Sequence, residues 1–236
     1  MAWVADQSQN FGSVDLNTGA STTISSLGFI AAGLGEIGST VYTGPEGGTT
    51  LYSINTLDGT LHSIGTSSIS FYAFGSTNTG LYMVDTVGGL WNVNPSTGTS
   101  TFIGSTLLPM GSNSVGMSTG SNVLYLSLAS NVYTINTVTG QASYVGNSGS
   151  TDFGALVTSR GSLYASSVVA PNAIYSFNNS TGAASFIADT NLANYAFGLA
   201  PIVPEPGTFG LFGIAALLAG VFAWKQHKAN SAEALR

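Results

Sequence analysis

The 236-residue chain has no cysteine. That excludes disulfides, thiolate metal sites and cysteine nucleophiles. Charge is scarce as well: Asp, Glu, Lys and Arg make up 6% of residues, against about a quarter in an average soluble protein. Up to Ile202 the basic side chains reduce to Arg160, while the acidic ones are Asp6, Asp15, Glu36, Glu46, Asp58, Asp85, Asp152 and Asp189. A nucleic-acid interface needs a Lys/Arg footprint to displace counterions, so nucleic acid is excluded as a partner. The opening residues, Met1-Ala2-Trp3-Val4-Ala5-Asp6, contain neither a basic stretch nor an apolar core of a secretory leader. The C-terminal features described below imply export, so an N-terminal signal peptide is expected to be missing from this sequence. Hydrophobic residues still make up 44% of the chain, which is not a disordered composition. Gly, Ser, Thr and Asn fill the place of the absent charges.

What is present is a repeat. Five segments align: Phe11-Gly12-Ser13-Val14-Asp15 to Gly19, Leu51-Tyr52-Ser53-Ile54-Asn55 to Gly59, Leu90-Trp91-Asn92-Val93-Asn94 to Gly98, Val132-Tyr133-Thr134-Ile135-Asn136 to Gly140, and Ile174-Tyr175-Ser176-Phe177-Asn178 to Gly182. The first four residues alternate as a strand does. Asp15, Asn55, Asn94, Asn136 and Asn178 are expected to cap the turn that follows, and the glycine to close it with φ > 0. A second strand follows, with apolar-Gly steps at Ile64-Gly65, Ile103-Gly104 and Val145-Gly146. An aromatic column, Trp3, Tyr42, Tyr82, Tyr125 and Tyr164, precedes each hairpin and marks another strand. The tyrosines and tryptophans would stack on sugars if exposed, but their regular spacing predicts that most of them pack between repeats. Segments rich in small residues, Phe71 to Gly75, Asp152 to Ala155 and Tyr195 to Gly198, suit a crowded inner strand.

Four short strands in about 40 residues is the content of a propeller blade. The fold class is therefore all-β, a β-propeller of about five four-stranded blades. The chain starts at the second strand of one blade and residues 195–202 supply an inner strand with no blade after it. Closure is expected by pairing these N- and C-terminal strands, which removes open sheet edges.

After Ile202 the pattern changes. Residues 203–208, Val203-Pro204-Glu205-Pro206-Gly207-Thr208, are too proline-rich for helix or central strand and form a spacer. Residues 209–224, from Phe209 to Trp224, carry no charge. As a helix they would span about 24 Å, against a hydrocarbon core of about 30 Å. Trp224 and snorkelling Lys225 and Lys228 would cover the difference and anchor one transmembrane helix, with 225–236 as a basic cytoplasmic tail. This order of Val203-Pro204-Glu205-Pro206, apolar helix and basic end resembles the PEP-CTERM sorting signal. The resemblance implies exosortase as a processing partner, membrane anchoring during export, and a final place at the cell surface or in the extracellular matrix.

No cofactor or metal site is legible in the body, 1–202. Asp6 and Asp85 hold equivalent positions in their repeats, which fits turn capping. An enzyme would need them to converge, together with Asp152. His62 has no titratable neighbours in sequence. Gly33-Leu34-Gly35-Glu36-Ile37-Gly38 has GxGxxG spacing without a following helix, and is expected to form a loop between blades. The leading expectation is a non-enzymatic module binding exopolysaccharide or a surface protein. The rivals are a matrix-glycan lyase or hydrolase and, third, an ice-binding or adhesion protein.

Overall fold

The computed structural model describes residues 1–111, 115–149 and 152–202. The expected spacer, transmembrane helix and basic tail, with Val203, Pro204, Glu205, Pro206, Phe209, Trp224, Lys225 and Lys228, lie outside the described residues.

The described residues form twenty strands. The first blade holds β1 (Ala2–Asp6), β2 (Asn10–Val14) and β3 (Ser21–Ser26). The second holds β4 (Ala31–Ile37), β5 (Thr40–Pro45), β6 (Thr50–Ile54) and β7 (Leu61–Thr66). The third holds β8 (Ala73–Thr77), β9 (Gly80–Val84), β10 (Gly89–Val93) and β11 (Ser100–Ser105). The fourth holds β12 (Val115–Met117), β13 (Leu124–Leu128), β14 (Asn131–Ile135) and β15 (Ala142–Asn147). The fifth holds β16 (Phe153–Ser159), β17 (Ser162–Ser167), β18 (Ala173–Phe177) and β19 (Ala184–Asp189). The last strand, β20 (Ala196–Pro201), returns to the first blade and pairs antiparallel with β1, giving the order β20-β1-β2-β3. The expected closure is thus present, with the N- and C-terminal strands joined in one four-stranded antiparallel blade; the second and third blades, each antiparallel within itself, are linked by a parallel pairing of Gly33 on β4 with Phe74 on β8.

The inner strands touch in a closed cycle: β4 with β8, β8 with β12, β12 with β16, β16 with β20, and β20 with β4. The hydrophobic core follows the same cycle. Each of five clusters lies between two consecutive blades, and one of them joins Ala2, Val4 and Val14 of the first blade to Ala155, Val157 and Ile174 of the fifth. A sheet of this kind buries both faces over its inner strands. β8, β9 and β13 accordingly have every residue buried.

The expected aromatic column packs as its spacing predicts. Tyr82 and Tyr125 are buried, and Trp3, Tyr42 and Tyr164 are half-buried. Across the ladder from them stand small or slim residues: Ala200 opposite Trp3, Gly35 opposite Tyr42, Gly75 opposite Tyr82 and Val157 opposite Tyr164.

The structure corrects one expectation. Residues 33–38 do not form a loop between blades, because β4 takes up Ala31–Ile37 and is the inner strand of the second blade. Its glycines are there for close approach. A Cβ on Gly33 would meet the Phe74 carbonyl oxygen at 2.0 Å, and one on Gly35 would meet the Leu81 and Phe74 side chains at 2.9 Å.

Candidate functional site

The repeated Asp/Asn position is consumed by the fold. The Oδ1 of Asp15, Asn55, Asn94, Asn136 and Asn178 accepts the backbone N–H two residues on, at 2.7, 3.0, 2.8, 2.8 and 2.9 Å. The backbone carbonyl of the same residue accepts the N–H of the closing glycine, which has φ between 68° and 79° in all five turns. The N–H groups of Asn17 and Thr18 hold the Asp15 carboxyl below its usual range.

Asp6 and Asp85 cap the preceding turn of their own blades. Asp6 is buried and accepts from both the backbone and the side-chain amide of Asn10, at 2.9 and 3.1 Å. Asp85 accepts from the Val87 and Gly89 N–H groups and from the Trp91 indole N–H at 2.8 Å. These two carboxylates and Asp152 belong to the first, third and fifth blades. No group of three or more His, Asp or Glu side chains suited to a metal ion occurs among the described residues. His62 is exposed on β7, opposite Ser53.

Two features were not singled out in the sequence. The first is Glu36, near the end of inner strand β4. It is buried, its Oε2 has no hydrogen-bond partner among the described residues, and burial pushes its carboxyl up to about 8. By register Glu36 stands opposite Val41, as Ser76 stands opposite Leu81, Thr158 opposite Leu163, and Pro201 opposite Ala2. The position lies at or one residue before the end of these four inner strands, and in the other three it holds a small polar residue or proline. Ser76 Oγ binds the Glu36 backbone on both sides, accepting from its N–H and donating to its carbonyl.

The second feature is on the outer edge. In every blade the pairing of the third strand with the outermost one shifts at the same place: Phe11/Gly12, Leu51/Tyr52, Leu90/Trp91, Val132/Tyr133 and Ile174/Tyr175. The extra residue on the outer strand is Ile24, Ile64, Ile103, Val145 or Ile187. Each of these packs against one of the five core clusters. Such a bulge re-aims its neighbours, and the residue before it is exposed in all five blades. In the last three blades that residue is aromatic: Phe102 is 53% exposed, Tyr144 62% and Phe186 57%.

Each of the three meets an aromatic of the third strand edge-on. Ring centroids are 5.0 Å apart for Trp91–Phe102, 5.6 Å for Tyr133–Tyr144 and 5.8 Å for Tyr175–Phe186. The inner partners are half-buried and pack against clusters that include the preceding blade: Leu51 for Trp91, Leu90 for Tyr133 and Val132 for Tyr175. Burial and the adjoining Tyr144 push the Tyr133 hydroxyl above its usual range. The sequence signal was available: in all three the aromatic stands four residues after the turn glycine and directly before an apolar-Gly or apolar-Ala step.

Comparison with known proteins supports this architecture. Residues 203–228 match the family described as PEP-CTERM protein-sorting motif. No curated protein matches the chain. Among solved structures, one titled "Crystal structure of Nidogen/Laminin Complex" is similar over 84% of this chain and 79% of the other, at 14% identity and a TM-score of 0.57. A structural genomics protein of unknown function from Bacteroides thetaiotaomicron is similar over 77% of this chain and 56% of that one, at 19% identity and a TM-score of 0.60. The structural neighbours are β-propeller-type proteins, so the body is propeller-like. The sorting motif is that of exported proteins processed by an exosortase.

Proposed function

We propose that this chain is an exported surface or matrix protein whose body, residues 1–202, is a non-catalytic binding module, and whose tail is an address removed by an exosortase. The observation that carries this reading is the position of the sorting motif. It begins at residue 203, two residues after Pro201 ends the strand that pairs with β1. Cleavage around 204–207 would leave all twenty strands in the mature protein. Residues 209–224 would hold the precursor in the membrane, with 225–236 on the cytoplasmic side. Among the described residues no helix is long and apolar enough to cross a membrane.

The non-catalytic reading of the body is supported by the turn roles of three of its carboxylates. Asp6, Asp15 and Asp85 accept hydrogen bonds within their own turns. A general acid or base must instead reach a substrate proton. Mass spectrometry of the mature protein from a host with a working exosortase tests the sorting half. The expected species lacks 209–236, and an intact C-terminus in that host would overturn it.

A further inference from the structure

We infer that the outer edge of the third, fourth and fifth blades is a repeated binding surface for a neutral polysaccharide, formed by Trp91/Phe102, Tyr133/Tyr144 and Tyr175/Phe186. This deepens the binding-module reading above and rests on it. The chain contains its own control. At the position of Phe102, Tyr144 and Phe186 the first two blades carry Thr23 and Ser63, and they form the same outer strand with the same bulge. The fold therefore does not require an exposed aromatic there. Three successive blades nevertheless place an aromatic in water at the same position of the repeat.

The chemistry around the rings selects the ligand. β10, β11, β14, β15 and β18 contain no charged side chain, and β19 contains one, Asp189 at its end. The exposed hydroxyls next in sequence, Thr101, Ser143 and Ser185, stand on the opposite face of the sheet by strand alternation, so the rings themselves are the contact. An aromatic face takes the C–H face of a pyranose. An anionic polymer would find no counter-charge on these strands. A folded protein partner would present one contiguous patch, whereas these three pairs recur at blade spacing and suit a polymer that also repeats. The pairs are held for this purpose, since each inner ring is wedged against a core cluster and the Trp91 indole is tied to Asp85 at 2.8 Å. Each contact is weak, and linkage of three on one polymer chain supplies avidity.

The test uses the full chain in a polyoxyethylene detergent, which carries no sugar. Sedimentation with insoluble cellulose and chitin, and affinity electrophoresis in mixed-linkage β-glucan and dextran, measure binding. Wild type is expected to bind at least one of the four, each single variant Phe102→Ala, Tyr144→Ala or Phe186→Ala several-fold more weakly, and the triple variant at least tenfold more weakly. A second variant, Leu57→Ser, removes a side chain that is 89% exposed in a turn of the second blade, which carries none of the three pairs, and should bind as wild type does. The inference is overturned if wild type binds none of the four, if the triple variant binds undiminished, or if the turn variant loses binding equally, which would mean general hydrophobic adsorption. It is also overturned if the triple variant changes self-association in sedimentation velocity without affecting any polysaccharide, which would make the edge a protein interface. Export and processing of the triple variant should be unchanged, so loss of sugar binding and failure of sorting are separate outcomes.

Discussion

Folding takes the Glu36 carboxyl out of water and leaves its Oε2 without a hydrogen-bond partner among the described residues. Burial then favours the neutral acid and raises its titration from 4.5 to about 8. The folded state therefore binds the proton more tightly than the unfolded chain. By linkage, the stability this group allows is full below about pH 4.5 and declines as pH rises through about 8. Glu36→Gln keeps the shape and cannot ionise. Its stability should be flatter across that window, and above pH 8 it should exceed wild type by on the order of 2 kcal/mol once residual solvent screening is counted. Urea denaturation at pH 5, 7 and 9 measures this, and parallel profiles for the two proteins would refute it. The glycines separate two physical demands at the same scale. Gly38 has φ of +64° with open space around it, so Gly38→Ala meets only backbone strain, about 1 kcal/mol. On Gly104 a Cβ would lie 2.0 Å from the Thr139 carbonyl oxygen of the next blade. Gly104→Ala forces two blades apart and should cost about 2 kcal/mol or more, read from the same denaturation midpoints. Equal midpoints for the two variants would argue against a steric role at the blade contact.

The five turns show why so much of this fold could be read from the sequence. Each is a local device: an Asp or Asn side chain binds the chain two residues on, and a glycine closes the turn with positive φ. Local devices leave a mark at fixed spacing whatever surrounds them. Asn136 is a fair test, since its Oδ1 accepts from both Val138 and Thr139. Asn136→Ala should lower stability by about 1 kcal/mol, while Asn136→Asp, which keeps the acceptor, should retain most of it by thermal unfolding. The misread elements lacked such a mark. β4 looked like a loop because Gly33 and Gly35 dilute its apolar pattern, yet those glycines answer to Phe74 and Leu81, some forty residues away. Glu36 reads in sequence as one more surface acid, since nothing local reveals that β4 is an inner strand. The exposed aromatics did leave a mark, four residues after each turn glycine, but the bulge at Ile103, Val145 or Ile187 that follows them breaks the two-residue alternation of the outer strand and is not legible in the sequence.

At the scale of the whole body, stability depends on a contact between the two ends of its sequence. β20 supplies the inner strand of the first blade, pairing Ala2 with Pro201, Trp3 with Ala200, Val4 with Leu199 and Ala5 with Gly198. The outer edge is joined there too. The Asn191 side chain accepts from the Ser21 N–H at 2.6 Å and donates back to its carbonyl, which ties the segment after β19 to β3. Neither bond can form until the blades between them are in place, so closure couples all five blades into one cooperative unit. It also covers the edge of β1, which would otherwise offer unpaired N–H and C=O groups to another chain. Two truncations separate these effects from the role of the tail. A chain ending at Ile202 keeps every strand and every core cluster, and should unfold in one sharp thermal transition as a monomer. A chain ending at Thr190 loses Asn191, β20 and with it Ala196, Leu199 and Ala200 from two core clusters. That chain should lose the cooperative transition and aggregate through the bared β1 edge, as followed by calorimetry and light scattering. If it instead remained monomeric with an undiminished transition, closure would not be what holds the ring, and processing at the sorting motif would gain nothing from lying beyond β20.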